Sequence, residues 1–274
     1  MTAFAIVHGA GGSAWEWHLV REELLARGHE VVAVDLPSDD ESAGLEQYAD
    51  TVVAAVLAVT GAALSGETPD EAPGDVVLVA HSLGGFVAPL VAARIPVRRL
   101  VLVAAMVPAP GETGDEWWET SGYLAAVRER DAGDGGAAAA ADNQADAADA
   151  DDADGTNNTD HAANADAGPG AAEIATFMHD LDPALAAEAL RRGRDQAGRV
   201  MSEPWPLQAW PDVPTSYLVL RDDHFFPASF LHRLARERLG VEADEMPGSH
   251  AAYLSRPAEL AERLVAYAEL PSRR

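Results

Sequence analysis

Two patterns of apolar positions alternate along most of the chain. Short runs of consecutive apolar residues, typical of strands buried on both faces, are separated by stretches in which apolar residues recur every three or four positions, as in helices. The runs predict strands at about 4–8, 30–35, 75–80, 98–104, 215–221 and 241–246, and the other stretches predict helices at about 15–27, 45–60, 83–94, 227–239 and 257–268. This alternation predicts an α/β fold with a parallel sheet.

The alternation stops between residues 106 and 206, where the pattern favours a cap over the sheet. Within this interval, residues 131–172 are mostly Ala, Asp, Gly and Asn and include ten Asp but no Lys or Arg. A segment with so few large apolar groups cannot offset the entropy lost on ordering. We therefore expect a single domain, 1–274, with a cap at about 107–206 that contains a disordered acidic insertion at 131–172. The cap residues that could line a pocket or form the cap's own core are Trp117, Trp118, Tyr123, Phe177, Met178 and Leu181.

Length and cysteine content narrow the class of protein. A chain of 274 residues can bury the core of one α/β domain. The absence of Cys excludes disulfides, a thiolate nucleophile and a Cys-based metal site, and we expect neither a cofactor nor a metal. The chain enters its first strand without a basic segment before it, and no apolar run reaches the roughly 18 residues of a membrane span. These features predict a cytoplasmic enzyme with no membrane partner.

The charge balance is strongly acidic. The chain has 45 Asp and Glu against 19 basic residues, all of them Arg, and a net charge of −26. Removing the ten Asp of the predicted insertion still leaves −16. Such self-repulsion is screened at high salt, which favours a protein of a halophilic, acidic proteome; a GC-rich genome that favours Ala, Arg, Asp and Gly codons is the alternative. An acidic surface also excludes nucleic acid as a partner and leaves a small-molecule substrate.

The strongest candidate for chemistry is Ser82. An apolar run, 76–80, ends at His81 and Ser82, and small residues follow at Gly84 and Gly85. A serine on a tight turn between a strand and a helix is typical of a nucleophile elbow, because the turn exposes Oγ and aims the first helical N–H groups at a developing oxyanion. The usual pattern is G-x-S-x-G, and Ala80 here replaces the first Gly by another small residue.

Two further groups follow in the chain order that this kind of hydrolase uses. The apolar run 216–220 ends at Asp222 and Asp223, either of which could orient a histidine, and His250 lies in a Gly-containing loop before the last helix. The order Ser, acid, His is that of an elbow-type triad. The pattern therefore predicts Ser82 as nucleophile and His250 as base, with structural roles for His8 and His81 and a position at a helix N-terminus for His224.

Three segments resemble a known family. They are residues 8–15 (HGAGGSAW), 80–85 (AHSLGG), and the pair 221–227 (RDDHFFP) with 248–250 (GSH). Here the chain resembles α/β-hydrolases of the small serine esterase group that includes plant methylesterases and hydroxynitrile lyases. The resemblance implies an α/β-hydrolase fold with about six mostly parallel strands flanked by helices and a cap insertion.

The resemblance also assigns residues to roles. In the family the acid lies four residues before a proline, which implies Asp223 rather than Asp222, since the proline here is Pro227. The backbone N–H groups of Ala10 and Leu83 would form the oxyanion hole. Relatives that cleave cyanohydrins use a Lys, and a chain without Lys argues against that lyase reaction.

Two main functions remain open on these grounds, and the resemblance also leaves perhydrolysis, acyl transfer and carbon–carbon hydrolysis open as reactions of the same triad. The first is a serine hydrolase that cleaves small carboxylic esters through Ser82, His250 and Asp223 and an acyl-enzyme. The second is a ligand-binding or signalling protein that keeps the hydrolase fold with slow or absent turnover. Turnover of a simple p-nitrophenyl ester distinguishes the two.

Overall fold

A six-stranded parallel sheet forms the centre of the protein in the computed structural model, which describes residues 1–60, 76–139 and 170–271 and, from residue 133 to 139, the backbone only. The strand order is β2-β1-β3-β4-β5-β6, and every pairing is parallel. The six predicted strands and the α/β class are confirmed. The strands are β1 (Ala3–Val7), β2 (Glu30–Ala33), β3 (Val76–His81), β4 (Arg99–Val103), β5 (Thr215–Leu220) and β6 (Asp244–Met246).

Eleven α-helices within the described ranges flank and extend the sheet. A 3₁₀ turn at Ala14–Trp17 precedes α1, α1 packs against α11, and α2 packs against α3. The helices are α1 (His18–Ala26), α2 (Leu45–Thr60), α3 (Gly84–Ala92), α4 (Gly114–Thr120), α5 (Tyr123–Ala139), α6 (Ala171–Phe177), α7 (Pro183–Arg192), α8 (Arg199–Ser202), α9 (Ala228–Leu239), α10 (Ala252–Ser255) and α11 (Pro257–Glu269). Among them, none is both long enough and apolar enough to cross a bilayer.

The centre of the sheet carries the core. Every residue of β1, β3 and β4 is buried, as expected for parallel strands covered on both faces. Because these strands are parallel, the segments that follow their carboxyl ends meet at one edge of the sheet. Residues 8–12 follow β1, Ser82 follows β3 and Asp223 follows β5, so the three segments that the sequence singled out share that edge.

Helices α4 to α8 and the loops between them make up the described part of the interval between residues 106 and 206. The chain here differs from the prediction at both ends of the predicted disordered insertion, since α5 continues to Ala139 and α6 begins at Ala171. Residues 137–139 are Ala, which favours a helix, whereas Gly133, Gly135 and Gly136 oppose one, so the extension depends on propagation from the part of α5 that precedes it. Most of the predicted insertion, 140–169, lies outside the described residues.

Candidate active site

Ser82 lies on a strained turn between β3 and α3. Its φ is +51°, in the left-handed region that non-glycine residues seldom adopt. The second and third residues after Ser82 leave no room for a side chain, since a Cβ on Gly84 would lie 2.5 Å from the carbonyl oxygen of Val7 and one on Gly85 would lie 1.9 Å from that of Met106. The tight approach of the turn to its neighbours therefore requires both glycines.

Gly85→Ala is expected to destabilise the fold by about 3 kcal/mol, the upper end of the usual cost of overpacking. The backbone of Met106 must shift to admit the new methyl group, and Met106 also donates its N–H to the carbonyl of Ser82 at 2.9 Å. Urea unfolding measures the change. Gly198→Ala is the matched control, because a Cβ there meets nothing within 4 Å; equal midpoints for the two variants would contradict the close approach.

Asp223 and His250 form a buried pair. His250 donates from Nδ1 to Oδ2 of Asp223 at 2.7 Å, and both residues are 6 % exposed. The other carboxylate oxygen of Asp223 accepts the N–H groups of Phe225 at 2.8 Å and Phe226 at 3.1 Å. With the proton on Nδ1, Nε2 of the neutral ring is left as a proton acceptor.

Asp222, the neighbouring acid, has different partners. It accepts the N–H of Gly248 at 2.9 Å and forms an ion pair with Arg221 at 3.2 Å. The hydrogen bond from Gly248, together with Arg221, lowers the pKa of Asp222. Asp222 thus ties the loop before His250 to the end of β5, whereas Asp223 contacts the imidazole.

Ser82 and His250 line one cavity of about 340 Å³. Within the described residues, which include both side chains, no hydrogen bond joins Ser82 Oγ to the imidazole of His250. Catalytic hydrogen bonds are often long without substrate and tighten when it binds. The structure thus places Ser82 and His250 in one cavity, with Asp223 bound to Nδ1 of the imidazole, and no hydrogen bond joins the serine to the histidine.

Ala10 and Leu83 line the same cavity. Within the described part of the chain, neither backbone N–H has a hydrogen-bond acceptor. The loop that carries Ala10 lies directly against the turn of Ser82, since a Cβ on Gly9 would lie 3.0 Å from Cβ of Ser82. Two backbone donors without partners beside a serine can stabilise a negative oxygen in the cavity.

Three further histidines have defined partners. His8 donates from Nδ1 to the Gly9 carbonyl at 2.8 Å and accepts the N–H of Leu36 at Nε2, and burial lowers its pKa. His81 donates from Nε2 to the carbonyl of His250 at 3.0 Å, and burial holds its pKa well below the usual value. His224 lies before α9 and donates to the cap carbonyl of Ala175 at 2.9 Å. These contacts tie neighbouring segments together.

The cap supplies apolar walls. Trp118, Phe177 and Met178 line the cavity, together with Phe225 from the loop after β5. Trp117 and Tyr123 are instead buried among other rings, where the indole N–H of Trp117 donates to the carbonyl of Val107 at 3.0 Å. The six cap residues singled out from the sequence thus divide between the two roles, with Leu181 packed against the core.

A strap of five cap residues, 193–197, holds the loop that carries Ala10. Arg194 donates its N–H to the carbonyl of Gly11 at 2.8 Å, and Gly11 donates its own N–H to Oε1 of Gln196 at 3.1 Å. Gln196 donates in turn to the hydroxyl of Tyr48 at 3.1 Å. Sequence reasoning missed this strap because no local pattern indicates a contact between residues 185 positions apart.

Glu16 is a second cavity residue that the sequence analysis missed. It follows the loop that carries Ala10, on the 3₁₀ turn, and burial raises its pKa to about 7. The available signal was a carboxylate between two tryptophans, Trp15 and Trp17, at the entrance to α1. Within the described ranges, His, Asp and Glu side chains form no group of three that could hold a metal ion.

Comparisons with known proteins agree with this architecture. The rice (Oryza sativa subsp. indica) protein named "Probable esterase PIR7A" is 37% identical over 119 residues, 40% of this chain and 41% of the relative. Methylesterase 7 of Arabidopsis thaliana is 36% identical over 114 residues, 38% and 40% of the two chains. The aligned part thus spans about two fifths of the length of these relatives.

Solved structures match over nearly the whole chain. An extracellular alpha/beta-hydrolase from a Paenibacillus species superposes with a TM-score of 0.68 at 20% identity, covering 98% of this chain and 99% of that one. Polyneuridine aldehyde esterase gives a TM-score of 0.67 at 19% identity, with 98% and 100% covered. The alpha/beta hydrolase family model matches residues 4–263. With that match over nearly its full length, and with the sheet, the turn and the cavity described above, this chain belongs to the alpha/beta hydrolase family.

Proposed function

We propose that this protein is a serine hydrolase that cleaves small carboxylic esters through Ser82, His250 and Asp223. The observation that carries the proposal is that His250 lines one cavity with Ser82 while its Nδ1 donates to Asp223 at 2.7 Å. The esterase and methylesterase names among the relatives support the same class of reaction. We also propose that the chain is one domain, 1–274, with residues 107–206 as the cap over the cavity.

Each of the cavity groups and Asp223 has a role in the proposed reaction that is consistent with its contacts. His250 takes the proton of Ser82 at Nε2 as Oγ attacks the ester carbonyl, and the carboxylate of Asp223 stabilises the imidazolium that results. The N–H groups of Ala10 and Leu83 bind the oxyanion, each donor contributing about 3 kcal/mol. The imidazolium then protonates the leaving alcohol, which breaks the C–O bond and leaves an acyl-enzyme. Water, activated by the same histidine, releases the acid.

Labelling by a fluorophosphonate tests the proposal without knowledge of the natural ester. An activated serine displaces fluoride from the reagent and becomes phosphonylated, whereas an ordinary surface serine reacts little. We expect one label per chain, on the peptide that contains Ser82, together with steady turnover of p-nitrophenyl acetate and butyrate. A folded protein that takes no label and turns over neither ester would favour the ligand-binding alternative.

A further inference from the structure

Glu16 is an ionisable group in the cavity that the proposed reaction does not use. It lines the cavity with Ser82 and His250. Its one hydrogen bond to a described residue is a long one, 3.4 Å, from the N–H of Ser13 to Oε2. Burial raises the pKa of this carboxyl to about 7, while the Ser13 N–H and the nearby His250 act in the opposite direction. The carboxylate of Glu16 therefore loses water on burial without gaining a strong hydrogen-bond or ionic partner among the described residues.

Within the part of the chain that the structure describes, no basic side chain forms an ion pair with Glu16. Arg194 also lines the cavity, but its guanidinium donates to the carbonyl of Leu36 at 2.7 Å and to Asp39 at 2.6 Å. Glu173 lines the cavity from α6, and neither it nor Glu16 forms an ion pair with a described residue. The cavity therefore contains unpaired carboxylates, and its arginine is already engaged.

The rest of the cavity wall suits an organic cation. Trp118, Phe177 and Phe225 present aromatic rings to it. The face of an aromatic ring attracts a cation, and the attraction is largest where water is excluded. A volume of about 340 Å³ is within the range of small-ligand sites. A ligand with an ammonium group could thus contact apolar walls and a carboxylate at once.

We propose that the cavity selects esters that carry a positively charged ammonium group, with Glu16 as the residue that determines this preference. The inference rests on the proposed ester hydrolysis at the same site and names its substrate class. An ammonium group pairs with the carboxylate and replaces the water that Glu16 loses on burial. A substrate with its own carboxylate would meet like charge and is disfavoured.

Matched ester pairs test the preference. Acetylcholine is compared with its neutral isostere 3,3-dimethylbutyl acetate, and phenyl 4-(trimethylammonio)butanoate with phenyl 5,5-dimethylhexanoate, so that the charge lies on either side of the ester. At pH 8.5, where Glu16 is ionised, we expect the kcat/KM of the cationic member of at least one pair to be higher by about tenfold or more. In Glu16→Gln this ratio should fall to near one.

The matched control is Glu22→Gln, which removes the same charge from an exposed position on α1. A chain with net charge −26 attracts cations at long range, so all assays contain 0.5 M NaCl to screen that field. We expect Glu22→Gln to keep the wild-type ratio. An equal fall of the ratio in both variants would overturn the proposal, because the preference would then come from the overall charge.

A binding measurement separates this inference from the proposed function. Calorimetry compares choline with 3,3-dimethylbutanol on the wild type and on Glu16→Gln; we expect choline to bind more tightly, and the difference to be lost in the variant. Cleavage of neutral esters with ratios near one overturns the cation preference and leaves the hydrolase intact. Binding of choline that depends on Glu16, without turnover of any ester, keeps the cation site and overturns ester hydrolysis. Choline binding that ignores Glu16 overturns the inference.

Discussion

Ser82→Ala is expected to lower kcat for p-nitrophenyl acetate by about 10⁴- to 10⁶-fold, the range seen when a triad nucleophile is removed. The variant keeps the Cβ on the turn between β3 and α3 but loses the oxygen that attacks the ester. The residual rate should be that of substrate bound beside the N–H groups of Ala10 and Leu83. Steady-state kinetics measure the loss, and fluorophosphonate labelling should vanish with it.

Ser202→Ala is the matched control, because it removes the same oxygen from an exposed position at the end of α8. We expect this variant to keep wild-type kcat. Near-ultraviolet circular dichroism and the melting temperature should agree for all three proteins, since Ser82 Oγ has no hydrogen bond within the described structure whose loss would weaken the fold. Turnover by a folded Ser82→Ala variant within tenfold of the wild type would exclude Ser82 as the nucleophile.

Asp223→Asn is expected to cost about 10³- to 10⁴-fold in kcat, the scale of this change in other serine triads. The amide can present its NH₂ group to Nδ1 of His250, which moves the imidazole proton to Nε2 and removes the base that faces Ser82. The loss should appear in kcat more than in KM, because Asp223 does not line the cavity.

Asp222→Asn distinguishes the two adjacent acids. Its side chain accepts the N–H of Gly248 and pairs with Arg221, and an amide oxygen can still accept that N–H. We expect a loss of less than about tenfold in kcat, with a modest fall in stability from the lost ion pair. The dependence of kcat/KM on pH is also measured for both variants and compared. A larger loss at Asp222 than at Asp223 would contradict the assignment of the acid.

The sheet could be predicted well from the sequence because parallel strands at its centre are covered on both faces. Strands β3 and β4 are buried on both faces, so their composition alone marks them as continuous apolar runs. The outer strands β2 and β6 are shorter than predicted, at Glu30–Ala33 and Asp244–Met246. Each pairs on one side only, and there the apolar pattern extends beyond the hydrogen-bonded ladder.

The candidate site likewise contains residues that the local sequence marks and residues that only the fold identifies. Ser82 and His250 are marked by local sequence, because a tight turn and a Gly-containing loop need particular residues. The choice of Asp223 over Asp222 came from the resemblance, since both acids end the same strand and only the fold sets which of them meets the imidazole. Glu16 lies between two tryptophans and at capping-box spacing from Ser13, but neither local signal indicates a cavity, because the cavity depends on which distant segments surround it.

The strap at 193–197 has a consequence for how the specificity of this protein can be altered. Its hydrogen bonds to Gly11 support the loop that carries Ala10, so the cap cannot be exchanged without affecting that loop. A chimaera that exchanges the whole cap would lose this support together with the old specificity. Divergence or engineering toward new substrates is therefore easiest through Trp118 and Phe177, which line the cavity and form no hydrogen bond to that loop, while the strap is kept unchanged.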